Sequence, residues 1–169
     1  MRKIGLVILL LVFITTGCKA IESNILFTSE LRNVSEEEYS NCNDLAYPSI
    51  ETTMIYKLHI SGNINGPRDM VNVDIPTFGE LRMRLKETLG INAIDGKGAM
   101  EDTANEIYYD YVLYIDASEI SEDEIINALK GIDCEIDIDD EIGNLTGVDG
   151  SIYDLVEMGK KEYIFWVGG

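Results

Sequence analysis

The sequence predicts an α+β fold, a mixed β-sheet of about five strands with two or three helices mainly on one face. Three observations carry this. Period-two alternation recurs in "TTMIYKLHI", "MVNVDI" and "CEIDID"; two helical stripes are bracketed by capping residues; and strand-like and helix-like stretches alternate along the chain.

Residues 18–48 read as a tether, although "NILF" is apolar enough to dock on the domain. Within it, Ser35 is placed to cap a short helix opened by Glu36, Glu37 and Glu38, whose charges suit the positive end of a helix dipole. From Ser49 the pattern sharpens. Met54, Tyr56, Leu58 and Ile60 alternate with Thr53, Ile55, Lys57 and His59, and Val71, Val73 and Ile75 repeat the pattern. The turn-rich "SGNINGPRD" between them predicts a hairpin.

"PTFGELRMRLKETLG" reads as a helix from both ends. Thr77 and Glu80 form a capping box, Gly90 is the terminator, and Phe78, Leu81, Leu85 and Leu89 form the buried stripe. A connection of about sixteen residues follows, long for a compact domain. The apolar strand "IYYDYVLYID" comes next, then a helix in "SEDEIINALKG", with Ser121 and Glu124 as capping box and Ile120 and Ile125 as a hydrophobic staple. With "CEIDID" directly afterwards, strand, helix and strand predict a parallel crossover. Ser151 and Asp154 cap a last short helix. The final strand, "EYIFWV", is apolar on both faces and is expected inside the sheet.

The chain carries 31 acidic against 13 basic residues, a net charge of −18. Such a surface repels nucleic acid and anionic polymers, so an electrostatically steered partner is expected to be cationic. A single histidine, His59, excludes a histidine metal cluster, and no "GxSxG" accompanies it.

The start, "MRKIGLVILLLVFITTGC", sets Arg2 and Lys3 before an apolar run from Ile4 to Ile14, the order of an export signal. At 1.5 Å per residue that run covers about 16 Å, roughly half of a bilayer core. Gly17 and Cys18, with Thr16, resemble the lipobox of bacterial lipoproteins, although Thr15 stands where that family usually places an aliphatic residue. The resemblance covers residues 1–18 only. It implies a signal peptide over 1–17, a diacylglyceryl group on Cys18, and a lipid-anchored protein on the extracytoplasmic face of the cell membrane. Two acyl chains hold where one does not. Cleavage after Ala20 and an uncleaved anchor are the alternatives. Residues 49–169 are then a single domain, in a compartment where Cys42 and Cys134 can oxidise. A bridge between them would close a loop of roughly ninety residues, worth about 4 kcal/mol in chain-entropy terms. Against it, Cys134 shares a strand face with Ile136 and Ile138 and reads equally as a buried thiol.

Two groups of residues are candidate sites. Asp137, Asp139, Asp140, Glu141 and Asp149 offer the oxygen ligands calcium prefers. From Asp137, however, Ile142 occupies the glycine position of an EF-hand loop and Val148 its glutamate position. The competing reading is a strand with its acids turned outward. Asp95, Lys97, Tyr108, Asp110 and Tyr114 form a candidate ligand or partner surface. Asp95 and Lys97 lie in the long connection, whose glycines miss the P-loop spacing, while Tyr108, Asp110 and Tyr114 share one face of the tyrosine-rich strand. Packing beneath a neighbouring element is the competing account for the tyrosines.

The function expected from these observations is that of a non-catalytic acidic domain, without a cofactor, that binds a protein or peptide partner. A cationic partner would suit it, as for an inhibitor or immunity-type factor. A calcium-dependent module and an envelope hydrolase using carboxylates are the alternatives.

Overall fold

The computed structural model describes residues 23–42, 50, 54–65, 71–90, 94–104, 106–139, 145–159 and 163–167. The leader, Cys18, Asp140 and Glu141 lie outside the described residues, as does the side chain of Asp139. The elements in order are β1 (Ser23–Val34), α1 (Glu36–Ser40), β2 (Ile55–Asn65), β3 (Val71–Asp74), α2 (Phe78–Leu89) and β4 (Ile94–Asp102). They continue with β5 (Glu106–Asp116), α3 (Glu122–Lys130), β6 (Asp133–Asp139), β7 (Leu145–Ser151), α4 (Ile152–Gly159) and β8 (Tyr163–Val167).

The fold is α+β, with two sheets instead of one. A five-stranded sheet has the order β4-β5-β2-β1-β8, and a three-stranded sheet the order β3-β6-β7. Every pairing among the described residues is antiparallel. The expected parallel crossover from β5 to β6 is therefore absent, because β4 and β2 already occupy both edges of β5. The expected hairpin between β2 and β3 fails for the same reason: β1 and β5 flank β2, and β3 pairs with β6 instead.

Three further expectations are corrected. Residues 23–34 are not tether: β1 pairs with β2 over eleven rows, from Asn24 opposite Asn65 to Val34 opposite Ile55. The connection after α2 contains a strand, β4, which its glycines conceal because they leave no side-chain alternation to read. Gly98 is required there, since a Cβ would stand 2.4 Å from the Cβ of Phe78 on α2. β8 lies at the outer edge of its sheet, the position beside β1 that remains once β2, β5 and β4 are paired.

The core follows the alternation. Leu58, Ile60 and Ile64 of β2 and Ile107, Tyr109, Tyr111, Leu113 and Ile115 of β5 point to one side. Leu81 and Leu85 of α2, Ile125 and Leu129 of α3, Ile152 and Val156 of α4, and Cys134 and Ile136 of β6 fill that side. The three longer helices and the apolar face of the small sheet thus share one core. On the opposite side, Val34, Tyr39, Ile50, Ile55, Val112 and Tyr114 make a smaller cluster beneath α1.

The caps are as the sequence predicts. The Thr77 hydroxyl accepts from Glu80 N–H while Glu80 accepts from Thr77 N–H (2.8 Å), and Ser121 and Glu124 repeat the arrangement. Gly90 ends α2 in the left-handed region at φ 65°. Ser151 and Asp154 close the start of α4 in the same way, with Ser151 N–H donating to Asp154 at 2.8 Å.

Candidate functional site

β6 is amphipathic by alternation over residues 133–137. In β6, Cys134 and Ile136 enter the core while Asp133 and Glu135 are exposed and Asp137 is half-buried on the other face. Pairing then does what the sequence alone cannot show. Asp74 of β3 lies opposite Glu135, and Glu135 lies opposite Asp149 of β7. Three acidic residues thus form one row across three strands, a like-charge arrangement that works against the sheet.

A hollow of about 550 Å³ opens beside this row, lined by Asp74, Asp133, Glu135, Asp149, Asp154 and Lys130 among others. Lys130 holds its ammonium 4.8 Å from the centre of the Tyr153 ring, and Asp154 is engaged in capping α4. Glu135 titrates above its ordinary value. The hydrogen bond it shares with Asp137 is the main cause, followed by repulsion from Asp137, slight burial, and the charges of Asp149 and Asp74.

Of the calcium set, the structure places Asp137 and Asp149 on this face but not opposite each other, since Asp137 pairs with Gly147. Among the described residues, no three histidine, cysteine or acidic side chains are grouped so as to hold a metal ion.

The second candidate set divides. Tyr108 and Asp110 come together on the outer face of the large sheet. Asp110 lies 2.7 Å from His59 Nε2, and it raises the Tyr108 phenol, whose shift is caused first by partial burial and then by the Asp110 charge and hydrogen bond. Lys97 and Glu101 of β4 share this face. Tyr114 and Asp95 do not belong to an open surface. Tyr114 is 3% exposed, packs edge-on against Tyr39 with centroids 5.2 Å apart, and sets its hydroxyl 3.0 Å from Cys42 Sγ. Asp95 is buried, and its carboxylate accepts from Gly96 N–H at 2.8 Å. The cluster beneath α1 covers one end of this sheet face; toward the other, Lys97 and Glu101 are exposed and Tyr108 and Asp110 half-buried.

Cys42 and Cys134 are free and unbridged. Cys42 packs against the small cluster under α1, whereas Cys134 lies in the main core on the other side of the five-stranded sheet. Burial, aided by the charges of Asp154, Asp133 and Asp74, pushes the Cys134 thiol up to about 12, which makes it a poor nucleophile.

Sequence reasoning missed His59 as the partner of Asp110, and Asp74, Glu135 and Asp154 as neighbours. The outward parity of Asp133, Glu135 and Asp137 was the available signal. Their company across the strands depends on register. Among the described residues no helix is long and apolar enough to cross a membrane. No protein-family model, curated protein or solved structure matches the chain.

Proposed function

We propose that this chain is a lipid-anchored, extracytoplasmic, non-catalytic module whose small sheet holds a cationic protein or peptide, as an inhibitor or immunity-type factor would. The observation that carries this reading is the row Asp74, Glu135, Asp149 in direct cross-strand register beside an open hollow. Carboxylates aligned this way destabilise the isolated sheet, and a bound cation relieves them. Neighbouring strands stand about 4.8 Å apart. The row therefore suits several positive charges spaced along a peptide better than one metal ion. The net charge of −18 adds long-range attraction for the same class of partner.

The test is calorimetric titration of the full chain with an oligolysine peptide. Binding should weaken steeply between low salt and about 0.15 M, where charges are screened over roughly 8 Å. The triple substitution Asp74→Asn, Glu135→Gln, Asp149→Asn should abolish it. Binding that ignores salt, or survives the triple substitution, overturns the reading. A rise in unfolding temperature with calcium that a chelator reverses would assign the surface to calcium instead. For the anchor, intact-mass measurement of membrane-extracted protein should find a diacylglyceryl group on Cys18; an unmodified thiol refutes it.

A further inference from the structure

β4 is the outermost strand of the five-stranded sheet, and its pairing parity is fixed at both ends. In the turn to β5, Thr103 N–H donates to the Glu106 carbonyl at 2.8 Å. Odd-numbered residues of β4 therefore exchange backbone bonds with β5, and even-numbered residues turn their amides and carbonyls outward. The start of the strand agrees: Gly96 N–H goes to the Asp95 side chain, and the Ile94 carbonyl accepts from Arg82 Nε at 3.1 Å. These contacts occupy the first part of the edge. Beyond them, the outward amides and carbonyls of Gly98 and Met100 meet no partner among the described residues.

Native sheets usually blunt such an edge with proline, a bulge or charge. The segment "GKGAM" contains no proline, and its one charge, Lys97, is complemented four residues later by Glu101. We propose that this edge joins two copies of the chain, antiparallel, with Ala99 on the two-fold axis, so that two five-stranded sheets become one.

Electrostatics select that register. Centred on Ala99, Lys97 faces the partner's Glu101 and Glu101 faces the partner's Lys97. Gly98 and Met100 exchange backbone bonds with the partner's Met100 and Gly98. Centred on Gly98, Asp95 would face the partner's Glu101; centred on Lys97 or Glu101, each residue would face its own like charge; and centred on Met100, Lys97 would face an uncharged threonine. The chosen register also brings Met100, 39% exposed in the single chain, beside the partner's Gly98, where Phe78 already packs. The opposing force is the net charge of −18, screened beyond about 8 Å at 0.15 M salt.

Sedimentation of the full chain, in non-ionic detergent so that the leader does not associate, tests this. A concentration-dependent dimer is expected. Lys97→Glu and Glu101→Lys should each raise its dissociation constant about tenfold, because two facing pairs become repulsive, and the double reversal should restore it. Ala99→Cys places two thiols across the axis at a Cα separation of about 4.5–5.5 Å, within disulfide reach, whereas Glu101→Cys places them about 14 Å apart. Oxidation should therefore crosslink the first variant above the parent chain and not the second. A monomer at every concentration, a double reversal no better than the singles, or equal crosslinking of both cysteine variants overturns the proposal. The edge lies apart from the carboxylate row, so peptide binding by monomeric variants remains readable independently.

Discussion

The two sheets of this protein use charge in opposite ways. On the outer face of the large sheet, unlike charges are neighbours: Glu30 meets Lys57 at 2.5 Å and Arg32 at 3.1 Å, and Arg32 continues to Glu38 of α1. Burial would raise the Glu30 carboxyl, yet the hydrogen bonds and charges of Lys57 and Arg32 hold it below its ordinary value, while the Arg32 guanidinium is raised by Glu38 and Glu30 despite slight desolvation. On the outer face of the small sheet, like charges are neighbours and Glu135 is raised. The first set of charges stabilises the fold that carries it. The second works against that fold, and this is the ground on which a cationic partner is proposed for it.

The comparison holds only if both sheets share one core. Leu113 of the large sheet and Ile136 of the small one are both fully buried in it. Leu113→Ala and Ile136→Ala should each lower stability by about 2–5 kcal/mol, the usual range for such cavities. Both should leave one unfolding transition by calorimetry. A second transition in either variant would separate the sheets into independent units.

The next effect is smaller and tests the large sheet's pairing. Lys57→Ala should cost roughly 0.5–1 kcal/mol in denaturant titration, because the ion pair with Glu30 is partly open to water. Added salt should narrow the difference from the parent chain. A cost that stays constant with salt would mean that Lys57 acts through its aliphatic stem and not its charge.

How much of this was legible in the sequence depends on the range of the interaction. The caps at Thr77, Ser121 and Ser151 are local: each joins residues three apart, and each was readable. The alternation in β2, β5 and β6 is also local, so the buried sides of Tyr109, Tyr111, Cys134 and Ile136 followed from parity. Pairing partners did not, because an apolar strand fits many neighbours. The division of strands between two sheets, the row Asp74, Glu135, Asp149 and the contact of Cys42 with Tyr114 all depend on which strand lies beside which. β4 was hidden for another reason. A glycine-rich edge strand is held by its backbone, and the backbone leaves no pattern in the sequence.

The smallest expected effect has the opposite sign and probes the contrast most directly. Glu135 ionises near 4.5 in the unfolded chain and at higher pH in the folded one, so the folded state resists losing that proton. Its unfavourable contribution is absent below pH 4.5 and grows as pH rises through the folded value. Glu80 and Glu124 behave in reverse: the backbone N–H groups of Thr77 and Ser121 lower their values, so their contribution is present above pH 4.5 and lost on acidification. Glu135→Gln should therefore raise the unfolding temperature slightly at pH 7 and leave it unchanged near pH 4. Glu124→Gln should lower it at pH 7, with the deficit shrinking toward pH 3. If Glu135→Gln destabilises the chain at neutral pH, its carboxylate serves the fold as Glu30 does, and the distinction between the two sheets fails.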